Sequence, residues 1–172
     1  LTNHSSRRLR RGLTQALDLF WGSMESFKIW SPCEQPPELL AGISAIQIGE
    51  QFLHVLCVRE YREPLSLVLT FEAPDAVLVE SEFSMHWVSG VEPPPFPKVP
   101  GTPWVVPFLI VENSIWAGHS CVAERGELPV HYHVSSFEGS ANVLSRNEPI
   151  ARWATAAQID QIYAAVSPFG EA

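Results

Sequence analysis

Hydrophobic positions recur along this chain with two different periods, and the change of period sets its organisation. Leu9, Leu13, Leu17, Phe20, Met24 and Phe27 are spaced by three and four residues, with Ala16 and Trp21 beside them. That stripe predicts an amphipathic helix over about 7–29, packing one face on a core. Ser5 or Ser6 can cap its start, and Pro32 bars its continuation.

From residue 43 the period shortens to two. Ile43–Ile48 and Phe52–Val58 are rich in β-branched and apolar residues, with Gly49-Glu50 between them as a hairpin turn. Leu65–Phe71 follows as a strand between Pro64 and Pro74. Ala76–Val88 alternates: Val77, Val79, Ser81, Phe83 and Met85 point one way, and Leu78, Glu80, Glu82, Ser84 and His86 form the opposite, wet face. Segments 104–111, 114–123, 130–137 and 141–144 read as further strands, joined in meander order because the links are too short for parallel crossovers. Thr155-Ala156-Ala157-Gln158 is a capping box. It opens a closing helix over about 156–166 with Ile159, Ile162, Tyr163 and Val166 on one face. The expected fold is one α+β domain over 1–172. Its mostly antiparallel sheet has about seven or eight strands between about 43 and 145, flanked by an N-terminal and a C-terminal helix.

Residues 91–103 interrupt the strands with six prolines, which cannot donate to a ladder and favour extended geometry. The segment is either a stiff connector over the sheet edge or a presented binding loop, with Phe96 and Trp104 as its contact aromatics. Trp21, Trp116 and Trp153 are expected in packing.

Composition narrows the class. At 172 residues, 46% hydrophobic and 17% charged, the chain can bury a core. No uncharged apolar run approaches the ~20 residues of a membrane helix. Arg7, Arg8, Arg10 and Arg11 resemble a basic leader, but the following stretch is periodic and broken by Gln15 and Asp18, which argues against a secretory signal. Three scattered cysteines, Cys33, Cys57 and Cys121, form no disulfide framework, which points to a reducing, cytoplasmic setting; Cys57 and Cys121 lie in apolar runs as small core residues. The net charge is −8. Outside the four clustered arginines the chain carries seven basic against nineteen acidic residues, a balance of −12. Such a body repels nucleic acid and favours a protein partner with a basic surface.

Chemistry concentrates in one stretch. His131 and His133 lie two apart on a strand and project from one face, His119 and Cys121 share that spacing just upstream, and Glu138 follows. Together they could ligate a transition metal. His131-x-His133 with Glu138 resembles the first metal motif of the cupins. The resemblance implies a double-stranded β-helix barrel with those three residues as ligands. It spans about a dozen residues and departs from the family pattern: Gly126 lies one residue too close to His131, and no histidine follows His133. No Gly-x-Ser-x-Gly elbow and no phosphate-binding glycine loop is present.

The pattern points away from catalysis and needs no cofactor. The expected function is non-catalytic binding of a protein through Glu80, Glu82, Glu92, Phe96, Lys98 and Trp104. A bacterial immunity protein that neutralises a basic toxin has the same profile. The alternatives are a metal-dependent enzyme or metal-binding protein on the histidine face, and a structural or assembly subunit that docks through the proline segment.

Overall fold

The computed structural model describes residues 25–48, 50–59, 64–81, 95–119 and 127–166. Nine strands occur among them: β1 (Ser26–Ile29), β2 (Gly42–Ile48), β3 (Phe52–Val58), β4 (Leu65–Glu72), β5 (Ala76–Ser81), β6 (Phe108–Glu112), β7 (Val130–Ser135), β8 (Gly139–Ser145) and β9 (Ile150–Thr155). Two helices accompany them, α1 (Ile115–His119) and α2 (Ala156–Val166). The strands form two sheets, β1-β6-β7-β8-β5 and β2-β3-β4-β9, with every pairing antiparallel.

The mostly antiparallel α+β architecture agrees with the pattern, and several details differ. The strands make two sheets, not one. Residues 26–29 of the expected first helix are strand β1; the remainder up to 24 lies outside the described residues. Segment 104–111 becomes regular only at Phe108, after Pro103 and Pro107. Segment 114–123 contains helix α1, with 120–126 outside the described residues. Its Ile115 and Trp116 favour strand, but Ser114 Oγ accepts the Ala117 N–H at 3.2 Å and caps a helical turn. Meander order holds for β2-β3-β4 and β6-β7-β8, and fails where β9 returns beside β4 and β5 joins β8.

Two faces of the second sheet are buried, for different reasons. Its inner face carries Leu53, Val55, Cys57, Leu67, Leu69 and Phe71 against Phe108, Tyr132, Val134, Ala141 and Val143 of the first sheet, with Trp30 and Leu40 closing the layer. Cys57 is a core residue as its surroundings predict, and burial pushes its thiol up. The outer face places Ile46, Leu56, Val68 and Ala154 against Ile162 of α2. Trp153 departs from the packing role expected of it, being 39% exposed at the sheet edge.

The capping box at α2 forms in both directions. Thr155 N–H donates to Gln158 Oε1 at 2.9 Å, and Gln158 N–H to Thr155 Oγ1 at 3.4 Å. Thr155→Ala is expected to cost about 1 kcal/mol, read as a lowered urea midpoint with unchanged slope.

The described part of the proline segment, 95–103, adds backbone hydrogen bonds to the extended geometry its prolines predict; 91–94 lie outside the described residues. Val99 N–H donates to Trp104 O at 2.9 Å and Val106 N–H to Pro97 O at 2.9 Å, around a turn with Gly101 at φ 76°. The residues between the prolines carry this short ladder, and Phe96 at its base is set over the first sheet. No helix among the described residues is long and apolar enough to cross a membrane.

Candidate functional site

In β7, Tyr132 and Val134 point into the core, so alternation sends His131 and His133 to the outer face of the first sheet. Cross-strand register builds that face in rows. Val111 and His131 lie opposite each other with Leu144 beyond, and Leu109 and His133 are flanked by Asn142 and then Leu78. This outer face is covered: His131 is 9% exposed, His133 4% and Asn142 8%. Three aromatic rings contribute. Phe96 stacks on His133 with ring centroids 4.9 Å apart and planes 12° apart, and packs on Phe27 at 4.6 Å. Trp116 of α1 meets His131 edge-on at 5.2 Å.

Buried polar groups need partners, and here they find one another. Ser114 Oγ lies 2.8 Å from His131 Nδ1, His131 Nε2 lies 3.1 Å from Asn142 Oδ1, and His133 Nδ1 lies 2.8 Å from the same Oδ1. Asn142 Nδ2 donates to Glu80 Oε2 at 3.4 Å. The last contact gives the chain its sense. A carboxylate only accepts, so the amide nitrogen of Asn142 faces Glu80 and its oxygen faces the rings. That oxygen accepts from both, so His131 carries its hydrogen on Nε2 and His133 on Nδ1. His131 Nδ1 then accepts from the Ser114 hydroxyl, and a neutral His133 keeps its lone pair on Nε2.

Burial favours the neutral rings. It pushes His133 down to about 4, against the opposing pull of its Asn142 hydrogen bond, with the His131 charge lowering it further. His131 is also lowered by burial, opposed by Asn142 and by the Glu25 carboxylate. The unfolded chain takes up protons near the ordinary 6.5 and the folded chain only at lower pH. Stability from His133 is therefore complete above about pH 6.5 and is lost as pH falls toward 4, and the lowered His131 acts in the same direction. A urea midpoint that declines from pH 7 to 5, with a shallower decline in His133→Gln, is the expected result; an unchanged midpoint contradicts it.

A cavity of about 250 Å³ opens on this face. Phe27, Leu78, Phe96, Val111 and Trp116 form its apolar walls, and Glu25, Glu80, His131, His133 and Asn142 its polar part. Ser114, His131 and Asn142 have the connectivity of a hydrolase triad. Two observations weigh against that chemistry. Ser114 Oγ is already engaged as the cap of α1. The adjacent Ile115 N–H, where an oxyanion donor would be needed, is taken by Glu25 Oε1 at 2.8 Å, placing negative charge where an oxyanion would develop.

The structure gathers some expected site residues and disperses others. Glu80 and Phe96 both line this cavity. Lys98 is exposed in a bridge with Val105, and Trp104 packs on Phe137 at 4.5 Å, away from the cavity. Glu82, Glu92 and Cys121 lie outside the described residues. His119 sits exposed at the end of helix α1, where the pattern predicts strand, and Glu138 is exposed at the β7–β8 turn. Among the described residues no three His, Cys, Asp or Glu side chains are grouped to hold a metal ion. The site residues missed in the sequence are Asn142, Ser114, Glu25 and Trp116. Asn142 alone leaves a local signal, as the one amide within the apolar run 141–144. No protein-family model matches the chain, and no curated protein or solved structure is found similar to it.

Proposed function

We propose that the chain is a non-catalytic binding protein for a protein partner with a basic surface, the role an immunity protein plays toward a toxin. The observation that carries this reading is the cavity on the outer face of the first sheet. It joins Glu80 and Phe96, two residues singled out from the sequence, to a second carboxylate, Glu25, on a chain of net charge −8. Its histidines suit recognition better than proton transfer. A general base works best with a pKa near the operating pH, and His133 lies far below it.

Panning the protein against a random displayed-peptide library tests the reading. Enriched sequences are expected to carry Lys or Arg, to elute as salt rises, and to be lost by the double variant Glu25→Lys, Glu80→Lys. Enrichment without basic bias, or retention by the charge-reversed variant at low salt, contradicts it.

A further inference from the structure

We propose that the cavity on the outer face of the first sheet receives the cationic end of a basic side chain, a guanidinium or an ammonium, presented by the partner. This rests on the binding reading above and specifies where the partner's charge is held.

The hydrogen-bond chain supplies the first reason. Asn142 uses its oxygen on both rings and its nitrogen on Glu80, so the donors His131 Nε2–H and His133 Nδ1–H are consumed. The remaining ring nitrogen, His133 Nε2, makes no hydrogen bond among the described residues, although the residue is only 4% exposed. Asp75 Oδ2, which is ion-paired with Arg146 at 3.6 Å, and Ser140 Oγ are the polar side-chain atoms sealed from solvent without a hydrogen-bond partner among the described residues. His133 Nε2 is not sealed in that way, which fits its place in the cavity lining. The cavity therefore offers a nearly buried acceptor that wants a donor.

The surroundings choose among donors. Glu25 and Glu80 add negative charge, and no lysine or arginine is in the lining among the described residues. An anion would be repelled by both carboxylates, and an apolar group would leave the imidazole nitrogen stranded. A cationic N–H group satisfies the nitrogen, meets the carboxylates and lies against the rings of Phe27, Phe96 and Trp116, which attract cations through their faces. Size agrees. A volume of 250 Å³ corresponds to about eight waters at ~30 Å³ each, which suits one long side chain and falls below the usual range of cofactor sites.

The test is an NMR titration of the whole chain at pH 7 with N-acetyl-arginine methylamide, N-acetyl-lysine methylamide and the uncharged N-acetyl-norleucine methylamide. Saturable shifts at His133 and the Trp116 indole are expected for the cationic ligands, with affinity at least about tenfold above norleucine, the equivalent of about 1.4 kcal/mol. Glu25→Gln keeps an oxygen for the Ile115 N–H while removing the charge, and is expected to weaken binding at least about threefold, as is Phe96→Leu through loss of the ring face. Equal affinity for norleucine, or unchanged affinity in both variants, overturns the proposal. Tighter binding of butylguanidinium than of the capped arginine would move the site from a partner's side chain to a free small cation, and also overturns it. Basic bias in displayed peptides without shifts at His133 defeats the cavity assignment alone. Arginine binding without peptide bias defeats the partner reading and leaves the cavity standing.

Discussion

Asn142→Leu is expected to cost about 4 kcal/mol, because one side chain satisfies two buried rings, and each stranded polar group costs about 1–3 kcal/mol. Leucine keeps the branch at Cγ but is bulkier than asparagine, so some overpacking adds to the lost hydrogen bonds. Each imidazole can move its hydrogen to the other nitrogen, but the nitrogen facing residue 142 stays buried without a partner in either tautomer. At this chain length the thermal midpoint should fall by roughly 10 °C. A second consequence separates this account from a generic core defect. Without Asn142 Oδ1, His133 is free to place its hydrogen on Nε2, so the cavity presents a donor and should lose its preference for cations. A midpoint within about 2 °C of the parent would mean that the three side chains are not coupled as described.

Gly139→Ala is expected to cost about 3 kcal/mol or more, by overpacking against backbone. A Cβ at Gly139 would fall on the carbonyl oxygen of Glu80, with Ser81 Cα 3.2 Å away. Neither atom belongs to a flexible side chain, so strand β5 must shift. Gly139 pairs with Ser81 at the end of the β5–β8 ladder, and among the described residues β5 is an edge strand paired with β8 alone. Hydrogen exchange should therefore accelerate first at the amides of Ala76–Ser81, while β6 and β7 stay protected. Because Glu80 moves with β5, cation binding should weaken as well. Uniform loss of protection across both sheets would contradict a local clash.

Local chemistry made parts of this architecture legible in the sequence. The Thr155–Gln158 box and the apolar stripe after it define α2, and the alternation around residue 50 defines β2 and β3. The shared face of His131 and His133 follows from period two alone. What closes that face is not local. Asn142 reaches the rings from 11 and 9 residues away, Glu80 is 62 residues from Asn142, and Glu25 bonds Ile115 across 90 residues. Nothing in a single window records such pairings. Strand β9 is not legible in the sequence because Ala151, Arg152 and Ala154 dilute its apolar signal. Its assignment comes from pairing with β4, where Leu67 meets Trp153 and Leu69 meets Ala151. Helix α1 departs from the pattern for the opposite reason: Ile115 and Trp116 prefer strand, and the Ser114 cap with the Glu25 bond overrides them.

The protonation pattern that Glu80 imposes through Asn142 decides what the cavity binds, and imidazole nitrogen NMR reads that pattern directly. In a ¹⁵N-labelled chain at pH 7, His133 should show a protonated Nδ1 and an unprotonated Nε2, and His131 a protonated Nε2 and an unprotonated Nδ1. A His133 ring with its hydrogen on Nε2, or with both nitrogens protonated, would contradict the account, because the cavity would then offer a donor where a cation needs an acceptor.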